Sequence, residues 1–195
     1  MSVKRVFNYL VVGMAVAELL IILLSWLLSA TMTEGVRSLL SGEGLRWFFG
    51  SFVALLSSPW LVWLLLLSMA AGSLLCSHLL RDAHSSTYRH RIAFRTSLVV
   101  LILYVAMVVA LTAVPHAVLL SATGQLFPSA FSRALVPLVA FGICLVSIVY
   151  GLMAGSFQNL SDAVASLSYG IAKAAPLFVF YVLAAQLVAS LRFVF

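Results

Sequence analysis

Glu18 sits in the middle of an apolar run, VVGMAVAELLIILLSWLL at 11–28. A charge at the centre of a membrane-crossing helix costs roughly 2.5–3.5 kcal/mol on insertion scales, so its presence asks for a reason. One reason is a cation or proton site facing the interior of a helix bundle. The other is a protonated or hydrogen-bonded carboxyl that fixes how the helices pack. Gln186, in LFVFYVLAAQLVASL at 177–191, is a neutral amide that either hydrogen-bonds across helices or meets a ligand. Asp162, in SFQNLSDAVASLSYGIAK at 156–173, is the third candidate for contact with a substrate or ion. Other chemistries lack their residues. Cys76 and Cys144 are far apart and show no metal-ligand spacing, and His78, His84 and His90 fix no common ligand face. No nucleophile, base and orienting acid fall into a catalytic arrangement, so the chain reads as a non-enzyme with no metal and no cofactor.

The elements that must position these groups are membrane helices. The 195 residues are 64% hydrophobic and 8% charged, whereas roughly a quarter of the residues in a soluble domain are charged. A helix needs about 20 apolar residues to cross a bilayer. Five segments satisfy this, at about 7–30, 57–80, 96–116, 134–155 and 174–195. Continuous apolar runs exclude the alternating pattern of a membrane barrel. The expected fold is an all-α integral membrane protein forming a single helical domain over 1–195, with interfacial amphipathic segments at about 34–50 and 158–173.

The net charge of +6 points to membrane orientation rather than to nucleic acid, because the cations are unevenly placed. Lys4 and Arg5 precede the first span, and Arg81, Arg89, Arg91 and Arg95 lie between the second and third, whereas the loops on the other side hold Glu34, Arg37, Glu43, Arg46 and a lone Arg133. By the positive-inside rule the amino terminus is cytoplasmic, and five spans put the carboxyl terminus outside. The lipid bilayer is the first partner, with the arginines meeting anionic headgroups.

Small residues mark where helices can approach closely: Gly13 with Ala17, Ser68 with Gly72, Ala185 with Ala189, and the GxxxG pair Gly151 and Gly155. The segment LLSGEGLRWFF at 39–49 reads as an interfacial elbow. Glu34 with Arg37, and Glu43 with Arg46, have the spacing of ion pairs on a helical face. Trp47, Phe48, Phe49 and Phe52 then supply an aromatic belt, and Pro59 suits the start of the next span. In the 156–173 segment, Ser161 suits a helix cap, Asp162 the first turn and Lys173 the far end, with Val164, Leu167 and Ile171 on one face. That pattern suits a helix lying in the interface, or an arm that moves with a transported substrate.

Two blocks resemble a known family, the p-aminobenzoyl-glutamate (AbgT) transporters. SLLSGEGLRWFFGSFV at 38–53 looks like the segment after that family's first transmembrane helix. Residues 127–191 resemble it in order: a short loop, a helix ending in Tyr-Gly-x-x-Ala-Gly, an Asp-containing amphipathic helix, and a span with Ala-Ala-Gln. The resemblance implies a bacterial inner (plasma) membrane protein that moves aminobenzoyl-glutamate-like or other small anionic solutes with a cation gradient. It also implies a dimer with two helical hairpins. The chain is less than half the family's usual length, and the hairpin regions that would carry the substrate residues are missing from it. Two functions follow. Either a short transporter works as a homo-oligomer or with a second membrane protein that supplies the hairpins, or a non-transporting subunit keeps the scaffold to bind a partner.

Overall fold

The computed structural model describes residues 3–31, 35–82, 88–113 and 130–195. Glu34, His84, the last residues of the expected third span (114–116) and the loop at 127–129 lie outside them. Among the described residues there are seven helices and no strand: α1 (Val3–Ala30), α2 (Gly42–Leu56), α3 (Pro59–Cys76), α4 (Leu79–Asp82), α5 (Tyr88–Ala113), α6 (Ala130–Ala154) and α7 (Leu160–Val194). Five of these, α1, α3, α5, α6 and α7, are long and apolar enough to cross a membrane. Their sides carry many exposed large apolar residues, such as Leu19, Ile102, Val139 and Val179. That is the composition expected of surfaces whose solvent is hydrocarbon. The chain is an all-α, multi-pass membrane protein.

The boundary expected near residue 173 is absent. Residues 160–194 form one helix of 35 residues that runs through Pro176. A proline inside a helix removes a backbone hydrogen bond, which flanking groups in membrane helices often make good. The amphipathic segment and the fifth span are therefore one element. Lys173 lies mid-helix, with its ammonium 4.9 Å from the Tyr169 ring centroid. Helix α7 starts at Leu160, so Ser161 sits within its first turn rather than capping it.

Contacts gather into two compact units, a terminal unit (Met1–Val62 with Ala175–Phe195) and a central unit (Trp63–Ala174). In the terminal unit the turn after α1 folds back tightly. Ser25, fully buried on α1, accepts a hydrogen bond from the Leu39 amide at 3.1 Å and donates to Ile22 O at 2.8 Å. Ser41 caps α2 by accepting from the Gly44 amide at 3.0 Å. Gly44 is buried, and a Cβ there would meet Ser38 O at 2.4 Å, so a side chain would force the turn open. Helix α2 ends at Leu56 with Ser57 as its C-cap, and Pro59 opens α3, where its missing amide costs nothing. Gly13, expected on a packing face, borders open space.

In the central unit α3 meets the first half of α7 at glycine. A Cβ on Gly170 would stand 2.0 Å from Ser68 O, and one on Gly72 would stand 2.4 Å from Ser166 O. Ser68 and Gly72 thus form the close-approach face that their spacing suggests. Helices α5 and α6 pack along their lengths. Tyr104 donates to Leu138 O at 2.8 Å, with its ring over Gly142, and the buried Tyr150 shares a hydrogen bond with His90 at 3.2 Å.

The pair Gly151 and Gly155 forms the end of α6, where a Cβ on Gly155 would also stand 2.3 Å from Arg89 Nη2 of α5. Gly155 has φ +87° and follows the last residue of α6, where its amide bonds Gly151 O at 3.1 Å. This is a left-handed C-cap, which glycine adopts without a Cβ penalty. Phe157 returns to lay its ring where a Gly151 side chain would be. The spacing of four arises from the cap geometry.

Candidate polar site at the end of α7

Two of the three candidate residues meet. Glu18, just past the middle of α1, accepts a hydrogen bond through Oε1 from Ser190 Oγ at 2.5 Å. Gln186 Nε2 donates to the same Ser190 oxygen at 3.4 Å, one helical turn away. Gln186 and Ser190 are both buried. The second carboxyl oxygen, Glu18 Oε2, is buried with no hydrogen-bond partner. A carboxyl with one satisfied and one orphaned oxygen, in an apolar surround, retains the capacity to bind a proton, a cation or a donor group.

Asp162 lies elsewhere, in the central unit. Its Oδ2 accepts from the amides of Gln158 (2.8 Å) and Asn159 (3.3 Å), closing the turn that precedes α7. The carboxylate is engaged in local capping. Glu43 meets Arg37 at 3.8 Å rather than Arg46, with both side chains mostly exposed. Glu43 occupies the first turn of α2, directly after the fold-back, and the returning 36–41 strand of chain brings Arg37 to it. The three-residue spacing to Arg46 does not decide the partner.

A second feature lies beside the carboxyl cluster in the terminal unit. The Arg37 amide donates to Val194 O at 3.1 Å, tying the elbow to the last turn of α7. Trp47 stacks on Phe193, ring centroids 4.4 Å apart and planes 20° from parallel. Around this junction is a pocket of about 540 Å³ with Arg37 and Arg192 on its wall. Ala185 and Ala189, expected as a packing face, line it too. Ser190, Arg192 and the role of Arg37 were invisible in the sequence as site residues. Ser190 had one usable signal, its place four residues after Gln186, which puts both on one helical face.

Residues 77–194 match the model of the AbgT putative transporter family. No curated protein and no solved structure matches the chain. The matched region takes in α4 to α7, and so Asp162, Gln186 and Ser190, whereas Glu18 and the elbow at 38–53 precede it. The match runs over more than half of the chain, through α4 to α6 and the whole of α7 with its polar end, and the protein belongs to the AbgT transporter family.

Proposed function

We propose that this chain moves a small anionic solute of the aminobenzoyl-glutamate class across a bacterial inner membrane, driven by a cation gradient. Membership of the transporter family supports the class of activity. The observation that carries the coupling is Glu18: one oxygen is held by Ser190 at 2.5 Å and the other is buried without a partner. A buried carboxyl oxygen without a partner is costly, and a cation or a donor group that meets it when the surrounding helices admit one offsets that cost. Gln186 holds the Ser190 hydroxyl in place, and neither it nor Ser190 carries charge. Lys4 and Arg5 put the amino terminus in the cytoplasm in this reading, and the working form is a homo-oligomer or a complex with a second membrane protein.

The test is flux. Purified protein in liposomes is offered radiolabelled p-aminobenzoyl-glutamate under an imposed proton or sodium gradient. Wild type is expected to accumulate label only with one of the gradients, and Glu18→Gln is expected to lose at least tenfold of that gradient-dependent rate while keeping its elution volume. Equal rates for wild type, Glu18→Gln and empty liposomes under both gradients would overturn the proposal.

A further inference from the structure

We infer that the pocket between the elbow and the last turn of α7 is a binding site for the headgroup of an anionic phospholipid. This inference is independent of the transport reading. Two arginines, Arg37 and Arg192, line its wall, around a space of about 540 Å³ that is large enough for a phosphate with its glycerol. Guanidinium presents planar donors that match a phosphate in pairs, and it is less strongly hydrated than ammonium. Glu43 occupies part of Arg37 at 3.8 Å, but a guanidinium has five N–H donors, and that contact is largely solvent-exposed. Arg192 has no carboxylate partner among the described residues. The wall therefore carries net positive charge.

The position on the membrane favours a lipid over a free solute. Arg192 is in the last turn of α7, a helix apolar enough to cross the bilayer, so the pocket falls at the end of a span, where headgroups lie. The stacked Trp47 and Phe193 have the chemistry of an interfacial aromatic pair. Leu55 and Val188 line the same pocket, and Val188 is half-exposed. Nearby on the same elements, Val53 and Leu191 also present apolar surface outward. A phosphate at the arginines can thus extend its acyl chain along an apolar flank, which a small hydrophilic anion would leave unused.

The experiment is native mass spectrometry of the purified full chain in detergent, titrated with phosphatidylglycerol and, separately, phosphatidylcholine. Wild type should retain phosphatidylglycerol at least tenfold more tightly than phosphatidylcholine. Arg37→Gln with Arg192→Gln should abolish that preference, Arg192→Lys should keep part of it, and Arg46→Gln, outside the pocket, should leave it unchanged. Single substitutions at Arg37 and Arg192 each give an intermediate loss, which keeps the test valid if the double variant fails to fold. Equal retention of the two lipids by wild type, or an unchanged preference in the single and double variants, would overturn the site. Complete displacement of phosphatidylglycerol by millimolar glycerol phosphate or p-aminobenzoate would overturn the lipid assignment and leave a site for free oxyanions instead.

Discussion

Both units carry hydrogen bonds that join distant stretches of sequence, and among the described residues the central unit adds a glycine contact between two helix backbones. In the first, Ser190 bonds Glu18, Leu39 bonds Ser25, Tyr181 bonds Ser58, and the Arg37 amide bonds Val194 O. In the second, Gly72 and Gly170 let two backbones nearly touch, and Leu66, Met69, Phe141 and Leu167 line an apolar groove of about 610 Å³. Lipid offers no hydrophobic reward for bringing two helices together, so association depends on close packing or on hydrogen bonds. The central unit combines the two. Close packing has steep repulsion and fails abruptly when a methyl group is added. Interhelical hydrogen bonds are worth about 0.6 kcal/mol on average, so they fail gradually. The terminal unit keeps, in Glu18 Oε2, a buried carboxyl oxygen with spare binding capacity.

The largest expected effect breaks the central unit. At Gly170 even the Cβ of alanine would stand 2.0 Å from a backbone carbonyl oxygen, and backbone cannot swing aside as a side chain can. Gly170→Val should therefore cost about 3 kcal/mol or more, at the upper end of overpacking losses. Unfolding in mixed detergent, followed by circular dichroism, should show it as a large drop in midpoint or as loss of monodisperse protein. Gly13→Val, where a Cβ meets nothing, is the matched control and should leave the midpoint within error. Equal behaviour of the two variants would remove the distinction between the units.

How much of this was legible follows the same division. The helical membrane class, the five spans and the Ser68 and Gly72 face are readable because they depend on composition and on spacing within one helix. The Glu18 and Gln186 residues are readable as anomalies, since each is a polar group where lipid penalises one. Their meeting through Ser190 is not readable, because the bond links residues 172 positions apart and depends on how α1 and α7 pack. The elbow shows the limit most plainly. Its glycines and its Ser41 cap follow from local chemistry, whereas the partner of Glu43 follows from where the chain turns back after α1. Gly151 and Gly155 are half legible: their spacing suggests a packing face, and Arg89 of α5 does meet Gly155, whereas the backbone angle that makes Gly155 a helix end cannot be read from spacing.

A middle-sized effect sharpens the polar side of the comparison. Ser190→Ala removes the donor to Glu18 and the acceptor for Gln186 together, leaving buried polar groups unsatisfied. The expected loss is about 1–2 kcal/mol, above the mean interhelical bond because both carboxyl oxygens are then orphaned. In the Glu18→Gln background the same substitution should cost measurably less, since the charge-capable partner is already gone. A double-mutant cycle reads that difference directly, and strict additivity would mean that the two groups do not sense each other.

The smallest effect belongs to the ion pair of the elbow. Glu43 and Arg37 are 3.8 Å apart with side chains 73% and 67% exposed, so water and salt screen them, and ordering two long side chains offsets much of the attraction. Glu43→Gln should change stability by roughly 0.5 kcal/mol or less, and that change should vanish at high salt. The elbow is instead held by the Leu39 to Ser25 bond, the Ser41 cap and the Arg37 to Val194 backbone bond, none of which involves Glu43. Ser25→Ala should accordingly loosen residues 38–44 more than Glu43→Gln does, as seen in faster amide exchange there. The reverse order would mean that charge, and not the buried serine, sets the turn.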